Sequence, residues 1–207
     1  MNKVMIVEDQ RMTREYLESY INKSDEYELV TSIANAAMAE IMCMQHEIDL
    51  VLMDVCTEND ESGLKAAEIL KKRFPRIKII ILTSMLEQNF INRAKEIGAD
   101  SFWYKDFGEN NLILVMDRTM NGERVYPDRA PEVKIGYASS YDFTEREMEV
   151  LRLLVEGGTY REIALELNLS PETVKSHIRN MLIKTGYTSK TKLAVAVSNK
   201  KIIVTGF

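Results

Sequence analysis

Asp49-Leu50-Val51-Leu52-Met53-Asp54 and Lys78-Ile79-Ile80-Ile81-Leu82-Thr83 decide the fold. Each is an unbroken apolar run that opens on a charged residue and closes on a polar one. A strand with one wet face alternates apolar and polar residues. A run that is apolar at every position is covered on both faces, as in a parallel sheet between two layers of helices. Working outward, Lys3–Val7, Glu28–Ala34 and Ser101–Tyr104 share the β-rich character. Helical periodicity fills the intervals near 12–22, 36–46, 62–73 and 87–97, and returns near 109–121. Pro75 follows the end of one helix and Gly98 stops another. Strands and helices in such alternation predict an α/β doubly wound, five-stranded parallel sheet over residues 1–121.

A chain of 207 residues has room for a second domain. Periodicity lapses over residues 122–141, which Gly122, Pro127, Pro131 and Gly136 punctuate, and this stretch reads as a linker. Helical signals resume in 142–207. Thr144-Glu145-Arg146-Glu147 and Thr159-Tyr160-Arg161-Glu162 are capping boxes, and Ser170-Pro171 places an N-cap before proline at the first helical position. Gly157-Gly158 and Gly186 end helices, and a last helix runs from about Ser189 to Asn199. A small all-α domain of four helices is expected.

Charge is divided between these parts. Residues 1–117 carry 13 Lys/Arg against 21 Asp/Glu, whereas residues 167–207 carry 7 against 1. An acidic front and a basic tail suggest two tasks, the second involving a polyanion such as double-stranded DNA. A solvated lysine-rich surface explains the charge equally well. No apolar run approaches the ~18 residues of a membrane span, and Met1 to Asp9 leads straight into a strand pattern rather than a signal peptide. Cys43 and Cys56 lack metal-ligand spacing and read as reduced thiols. The expectation is a cytoplasmic protein with no membrane partner.

In an open parallel sheet, chemistry sits at the carboxyl ends of the strands. Glu8 and Asp9 follow the first strand, Asp54 the third, Thr83 the fourth and Lys105 the fifth. Three converging carboxylates repel one another unless a cation lies among them, and Mg²⁺, a hard ion with oxygen ligands, fits. Asp54 could then attack a phosphoryl donor as a carboxylate nucleophile. The metal and Lys105 would neutralise the developing charge, and the Thr83 hydroxyl could donate to a phosphoryl oxygen. Singly, each residue has a bland explanation as a helix cap or a solvated strand end. Together, in this order, they do not.

This set resembles the receiver domain of bacterial response regulators. The family's acidic pair, phosphoacceptor Asp, Thr/Ser, aromatic and Lys correspond to Glu8 and Asp9, Asp54, Thr83, Phe102 and Lys105. Ser84 and the stretch Gly98-Ala99-Asp100-Ser101-Phe102 also match. The resemblance implies a flavodoxin-like strand order 2-1-3-4-5, with Asp54 as phosphoacceptor and Thr83 and Lys105 as catalytic groups. It implies Mg²⁺ held by Asp9, Asp54 and the backbone carbonyl of Cys56, with Glu8 acting through water. Thr83 and Phe102 would form the switch, and a sensor histidine kinase would be a partner. One stretch departs from the family: Val55-Cys56-Thr57-Glu58-Asn59-Asp60-Glu61-Ser62-Gly63 is acidic, lacks Met-Pro and is one residue longer.

In the last third, Met148, Leu151, Leu154 and Val155, then Ile163, Ala164 and Leu167, then Val174, Ile178 and Leu182 stripe three helices as core. The opposite face of the third carries Lys175, Ser176, Arg179 and Asn180, a cationic face suited to a major groove. The run Glu162-Ile163-Ala164-x-x-Leu167-x-Leu169-Ser170-x-x-Thr173-Val174-Lys175-x-His177 resembles the helix-turn-helix of the LuxR/NarL type across roughly 142–200. That implies DNA contacts at Lys175, Ser176 and Arg179, with Thr173 near the backbone and His177 in a structural or phosphate-adjacent place. It also implies a homodimer on DNA through the fourth helix around Val195.

The combined expectation is a two-component response regulator. Phosphorylation of an aspartate would control dimerisation and sequence-specific DNA binding, and the chain would be no enzyme beyond catalysing its own phosphorylation and dephosphorylation. A phosphatase or kinase built on Asp54 would need a nucleotide loop or substrate insertion, and none is evident. A DNA-binding regulator controlled by protein contacts without phosphate stays open at this point.

Overall fold

The computed structural model describes residues 1–105 and 111–203. Strands β1 (Asn2–Val7), β2 (Tyr27–Ile33), β3 (Leu50–Asp54), β4 (Lys78–Thr83) and β5 (Ser101–Tyr104) form one parallel sheet in the order β2-β1-β3-β4-β5. The expected doubly wound architecture and strand order are thus present. The apolar runs are buried on both faces, as their continuity required. Val4, Ile6, Leu50, Leu52, Ile80 and Leu82 pack with Leu17 and Ile21 of α1 (Arg11–Ile21) and with Leu112, Val115 and Met116 of α5 (Leu112–Met120). The alternate residues Met5, Val7, Val51, Met53, Ile79 and Ile81 are fully buried on the other face. Helix α3 (Gly63–Arg73) packs on β3 and β4, α4 (Gln88–Glu96) on β5, and α2 (Ala39–Gln45) against α3. The helix expected near 36–46 begins as a 3-10 turn, Ala36–Met38, capped by Asn35, whose side chain accepts from the Ala37 N–H at 2.8 Å. Positions 109 and 110 of the fifth expected helix lie outside the described residues.

At the amino end of β5, Asp100 is an ionic anchor. Its carboxylate accepts from Lys71 Nζ at 2.8 Å, from Lys78 Nζ at 3.1 Å and from the Ile79 N–H at 2.9 Å. Burial alone would raise its pKa, but these donors together hold it below the usual carboxylate value. With a folded pKa below the unfolded one, about 3.9, the stabilisation is complete above that pH and is lost as pH falls through the folded value. Asp100→Asn should lower stability by roughly 1–3 kcal/mol at pH 7 and flatten this acid limb. Urea unfolding from pH 7 down to pH 3 checks it, and identical curves for the two proteins would count against the anchor.

The chain divides into two compact units: Met1–Ser84 with Gln88–Arg129, and Met85–Glu87 with the chain from Ala130 onward. The stretch 122–141, expected as a linker, is shared between them. Val125 enters the core beside α5. Ile135 and Ala138, in a two-stranded hairpin of Lys134–Ile135 with Ala138–Ser139, are buried in the core of the second unit. Apolar side chains inside a punctuated stretch explain why it is packed. In the second unit, α6 (Glu145–Val155), α7 (Tyr160–Glu166), α8 (Pro171–Thr185) and α9 (Lys190–Asn199) enclose Val150, Leu151, Ile163, Val174, Ile178, Met181, Leu193 and Val197. Both expected capping boxes are made, with Glu147 and Glu162 each accepting from the N-cap N–H at 2.8 Å. Gly186 ends α8 at φ 75°, the left-handed conformation that glycine adopts without strain.

Candidate functional site

The carboxyl ends of β1, β3, β4 and β5 bring Glu8, Asp9, Asp54, Thr83 and Lys105 to one edge of the sheet. One ligand oxygen from each of Glu8, Asp9 and Asp54 lies within 4.8 Å of the others. Glu8 and Asp54 are buried while Asp9 is exposed, so the cluster opens to solvent on one side. Lys105 reaches across it. Its ammonium donates to Glu8 Oε2 and lies 3.0 Å from Asp54 Oδ2. Asp54 Oδ1 accepts from the Val55 N–H at 2.8 Å, and Glu8 Oε1 accepts from the Gln10 N–H at 3.1 Å. Burial pushes the Asp54 carboxyl up to about 7. The Lys105 charge works against that rise, and Glu8 and Asp9 add to it. Burial also disfavours the Lys105 charge, yet Asp54 and Glu8 hold its pKa above the ordinary lysine value. Lys105 therefore stays cationic and supplies a fixed charge where a transferring anion would arrive.

Thr83 is buried at the end of β4, and its carbonyl accepts from the Lys105 N–H at 2.9 Å. Phe102 lies within β5, three residues before Lys105, buried, with its ring 5.1 Å from that of Tyr104. The unusual loop after Asp54 becomes a small hairpin, Cys56 and Thr57 pairing with Ser62 and Glu61. Thr57 Oγ1 donates to the Glu61 carbonyl at 2.8 Å and accepts from the Ala36 N–H at 3.0 Å. Asn59 turns it at φ 63°, a region asparagine tolerates better than most residues. The insertion is thus absorbed as a tight turn, and Gly63 returns to the sheet, donating its N–H to the Val55 carbonyl at 2.9 Å.

In the second unit, Lys175, Ser176, Arg179 and Asn180 are exposed on one face of α8, opposite the buried Val174, Ile178 and Met181. Ser170 caps the helix, accepting from the Thr173 N–H at 3.1 Å, and the Thr173 hydroxyl lies 2.8 Å from that of Ser170. Buried Glu147 accepts from Lys184 Nζ at 2.7 Å, which ties α6 to α8. Val195 is half exposed on α9, 54% accessible. Sequence reasoning passed over Ile183, which continues the exposed face of α8 one turn beyond Arg179 and Asn180. The helical spacing 176, 179, 180, 183 places it on that face.

A sheet edge with a buried carboxylate in an acidic cluster beside a lysine, followed by a capped helical unit with a cationic helix face, fits a phosphate-responsive DNA-binding regulator as a class. Residues 4–117 match the family model for the response regulator receiver domain, and residues 142–197 match that for bacterial regulatory proteins of the luxR family. The response regulator protein VraR of Staphylococcus aureus is 32% identical over 211 residues, covering 97% of this chain and 98% of that protein. VraR of Staphylococcus epidermidis is 31% identical over 209 residues, with the same coverage. A solved structure of RcsB from Salmonella enterica serovar Typhimurium, bound to promoter rprA with phosphomimetic BeF3⁻, superposes with a TM-score of 0.62. It is 20% identical and the match covers 96% of this chain and 98% of that one, which supports the fold. The chain belongs to the response regulators of two-component systems, those that join a receiver domain to a LuxR-type helix-turn-helix domain and regulate transcription. Among the described residues, no helix is long and apolar enough to cross a membrane.

Proposed function

We propose that Asp54 is the phosphoacceptor through which a sensor histidine kinase controls DNA binding by this chain. The observation that carries the reading is the placement of Lys105 between Glu8 and Asp54, beside the exposed Asp9. This arrangement gives an attacking carboxylate, a fixed cation and an open side for the donor. Three carboxylates and a backbone carbonyl suit a hard divalent ion. Asp9, Asp54 and the Cys56 carbonyl would hold Mg²⁺, with Glu8 acting through water, and the ion would supply charge neutralisation at the phosphoryl oxygens. Lys105 contacts the transferred group, and Thr83 offers its hydroxyl to it. Phe102 moves with Thr83 as the switch. The receiver catalyses only its own phosphorylation and dephosphorylation. Residues 1–121 form the receiver and 142–207 the DNA-binding domain, and the division falls inside 122–141. The protein works in the cytoplasm, where its DNA lies.

In the DNA-binding domain, the exposed face of α8 enters the major groove, with Lys175, Ser176 and Arg179 at base edges and phosphates and Thr173 near the backbone. α9, around Val195, joins two chains on double-stranded DNA. The test is uptake of phosphate from acetyl phosphate with Mg²⁺, followed by binding of the whole protein to duplexes selected from a random pool. Phosphate on Asp54 together with tighter binding supports the reading. Tighter binding without any phosphorylation would favour control by protein contacts alone.

Lys175→Ala should lower the salt slope of binding by about one unit if the contact is to phosphate. Arg179→Ala should cost roughly 1–3 kcal/mol and relax sequence preference if the contact is to a base. Fluorescence anisotropy at several salt concentrations distinguishes these, and wild-type affinity in both variants would remove α8 as the reading helix.

A further inference from the structure

The segment after α5 returns to the sheet. Beyond Met120 the chain passes along the outer edge of β5, the last strand in the order, and pairs with it. The Phe102 N–H donates to the Val125 carbonyl at 2.8 Å, and the Val125 N–H donates to Ser101 Oγ at 3.1 Å. Ser101 Oγ is 2.6 Å from Thr119 Oγ1, so a buried hydroxyl pair holds this edge to α5. Val125 and Tyr126 make their contacts in different places. Val125 points into the core with Leu112, Val115 and Met116, whereas the Tyr126 ring meets Phe102 and the Lys95 ammonium of α4, 5.3 Å from its centroid.

An aromatic row results. Thr83 is the cross-strand partner of Tyr104. Tyr104 meets Phe102 edge to face at 5.1 Å, and Phe102 stacks with Tyr126 at 6.4 Å between centroids and 28° between planes. The Tyr126 hydroxyl is fixed by donating to the Ala99 carbonyl at 2.6 Å. Phe102 is therefore enclosed between a residue that faces Thr83 and a residue of the segment leading out of the receiver. A close-packed interior does not let one ring move without its neighbour yielding, and such contacts resolve into discrete arrangements.

We propose that Tyr126 is a positioning residue that couples the phosphoacceptor site to the DNA-binding domain: a shift at Thr83 passes along Tyr104 and Phe102 and displaces residues 125–129 from the edge of β5. Tyr126 stands four residues before Ala130, where the second unit resumes in the chain. The proposal rests on the reading of Asp54 as phosphoacceptor. The Lys95 ammonium over the ring and the hydroxyl bond to Ala99 add to the stacking that holds Tyr126 against Phe102.

The test compares full-length wild type, Tyr126→Ala, Tyr126→Leu and Tyr126→Phe. Phosphate on Asp54 after acetyl phosphate and Mg²⁺ is counted by mass spectrometry, which also reports whether each receiver is folded and competent. Affinity for a duplex selected with wild type is measured with and without phosphorylation, and amide exchange of residues 101–104 and 124–126 with and without beryllofluoride. Wild type and Tyr126→Phe, which keeps the stack, should show faster exchange at Phe102 on beryllofluoride and an affinity gain in the ~5–150-fold range usual for coupled sites. Tyr126→Ala and Tyr126→Leu should take up phosphate normally while that gain shrinks by ~2–30-fold. Equal gains in all four proteins, with normal uptake, would overturn the relay and leave the phosphoacceptor reading intact. Absence of phosphate on Asp54 in wild type would overturn both.

Discussion

Asp54→Asn should take up no phosphate and yet be the more stable protein at pH 8 without divalent ions. The two halves of this expectation come from one piece of geometry. Asp54 is 5% exposed, and its carboxylate, within reach of Lys105 at the end of β3, is the acceptor we propose. Asparagine keeps the shape, and its oxygen can still accept from the Val55 N–H. It lacks the anionic oxygen that attacks phosphorus, so transfer from acetyl phosphate should fall below detection. The stability half follows from electrostatics. Burial, with Glu8 and Asp9 adding to it and Lys105 opposing, pushes the Asp54 pKa up to about 7. The folded protein therefore binds a proton that the unfolded chain has released above about pH 4, and Asp54 costs stability as pH rises towards 7. Removing the charge recovers part of that cost, on the order of 1–3 kcal/mol, the scale typical of polar functional sites that oppose stability. Lys105 keeps Glu8 as partner, so no uncompensated cation is left behind. Intact-mass spectrometry and urea unfolding at pH 8 in chelator report the two halves. Phosphate on the Asn variant would displace the acceptor from position 54, and a less stable variant would show that Lys105 pairing outweighs burial.

The sheet was legible because its physics is local. Unbroken apolar runs at 50–53 and 79–82 admit one environment, a strand covered on both faces, and the residues that close them fall at the carboxyl edge by geometry alone. The cationic face of α8 was legible for the same reason, since helical spacing separates Val174 and Ile178 from Lys175 and Arg179. What escaped depends on contacts distant in sequence. Val125 and Tyr126 sit among punctuating residues, and nothing near them marks a partner at Phe102 or Ala99. Ile135 and Ala138 were hidden for the same reason, because a two-residue strand has no period to detect. The acidic loop after Asp54 read as an irregularity, and its hairpin depends on Thr57 meeting Ala36 across 21 residues. Lys105 between Glu8 and Asp54 was foreseeable as a neighbour, but its bridging position is a property of the folded site.

Gly63→Ala should damage both the fold and the chemistry, because this glycine is required for space. A methyl group at position 63 would come 1.7 Å from the Asp54 carbonyl oxygen and 3.1 Å from Met53 Cγ. The nearer obstacle is backbone, which cannot swing aside as a side-chain tip can. Either α3 withdraws at its first turn or the end of β3 shifts, and the strain falls on Asp54, the proposed acceptor. Overpacking of this kind costs about 1–3 kcal/mol and more where the neighbour is rigid. Displacing a reacting group by ~1 Å costs on the order of 100-fold in rate. Gly98 is the control. It has φ 77° but nothing within 4 Å of the added methyl, so Gly98→Ala carries only the conformational penalty of ~1–2 kcal/mol for a left-handed residue. Phosphorylation should therefore slow roughly 100-fold in Gly63→Ala and stay near wild type in Gly98→Ala, even if urea unfolding finds the two equally destabilised. Equal phosphorylation rates in the two variants would mean that the chain around Asp54 yields without moving its carboxylate. The hairpin from Cys56 to Ser62 would then be a tolerant lid beside the site, and the contact of Gly63 with Asp54 would not be what holds the acceptor in place.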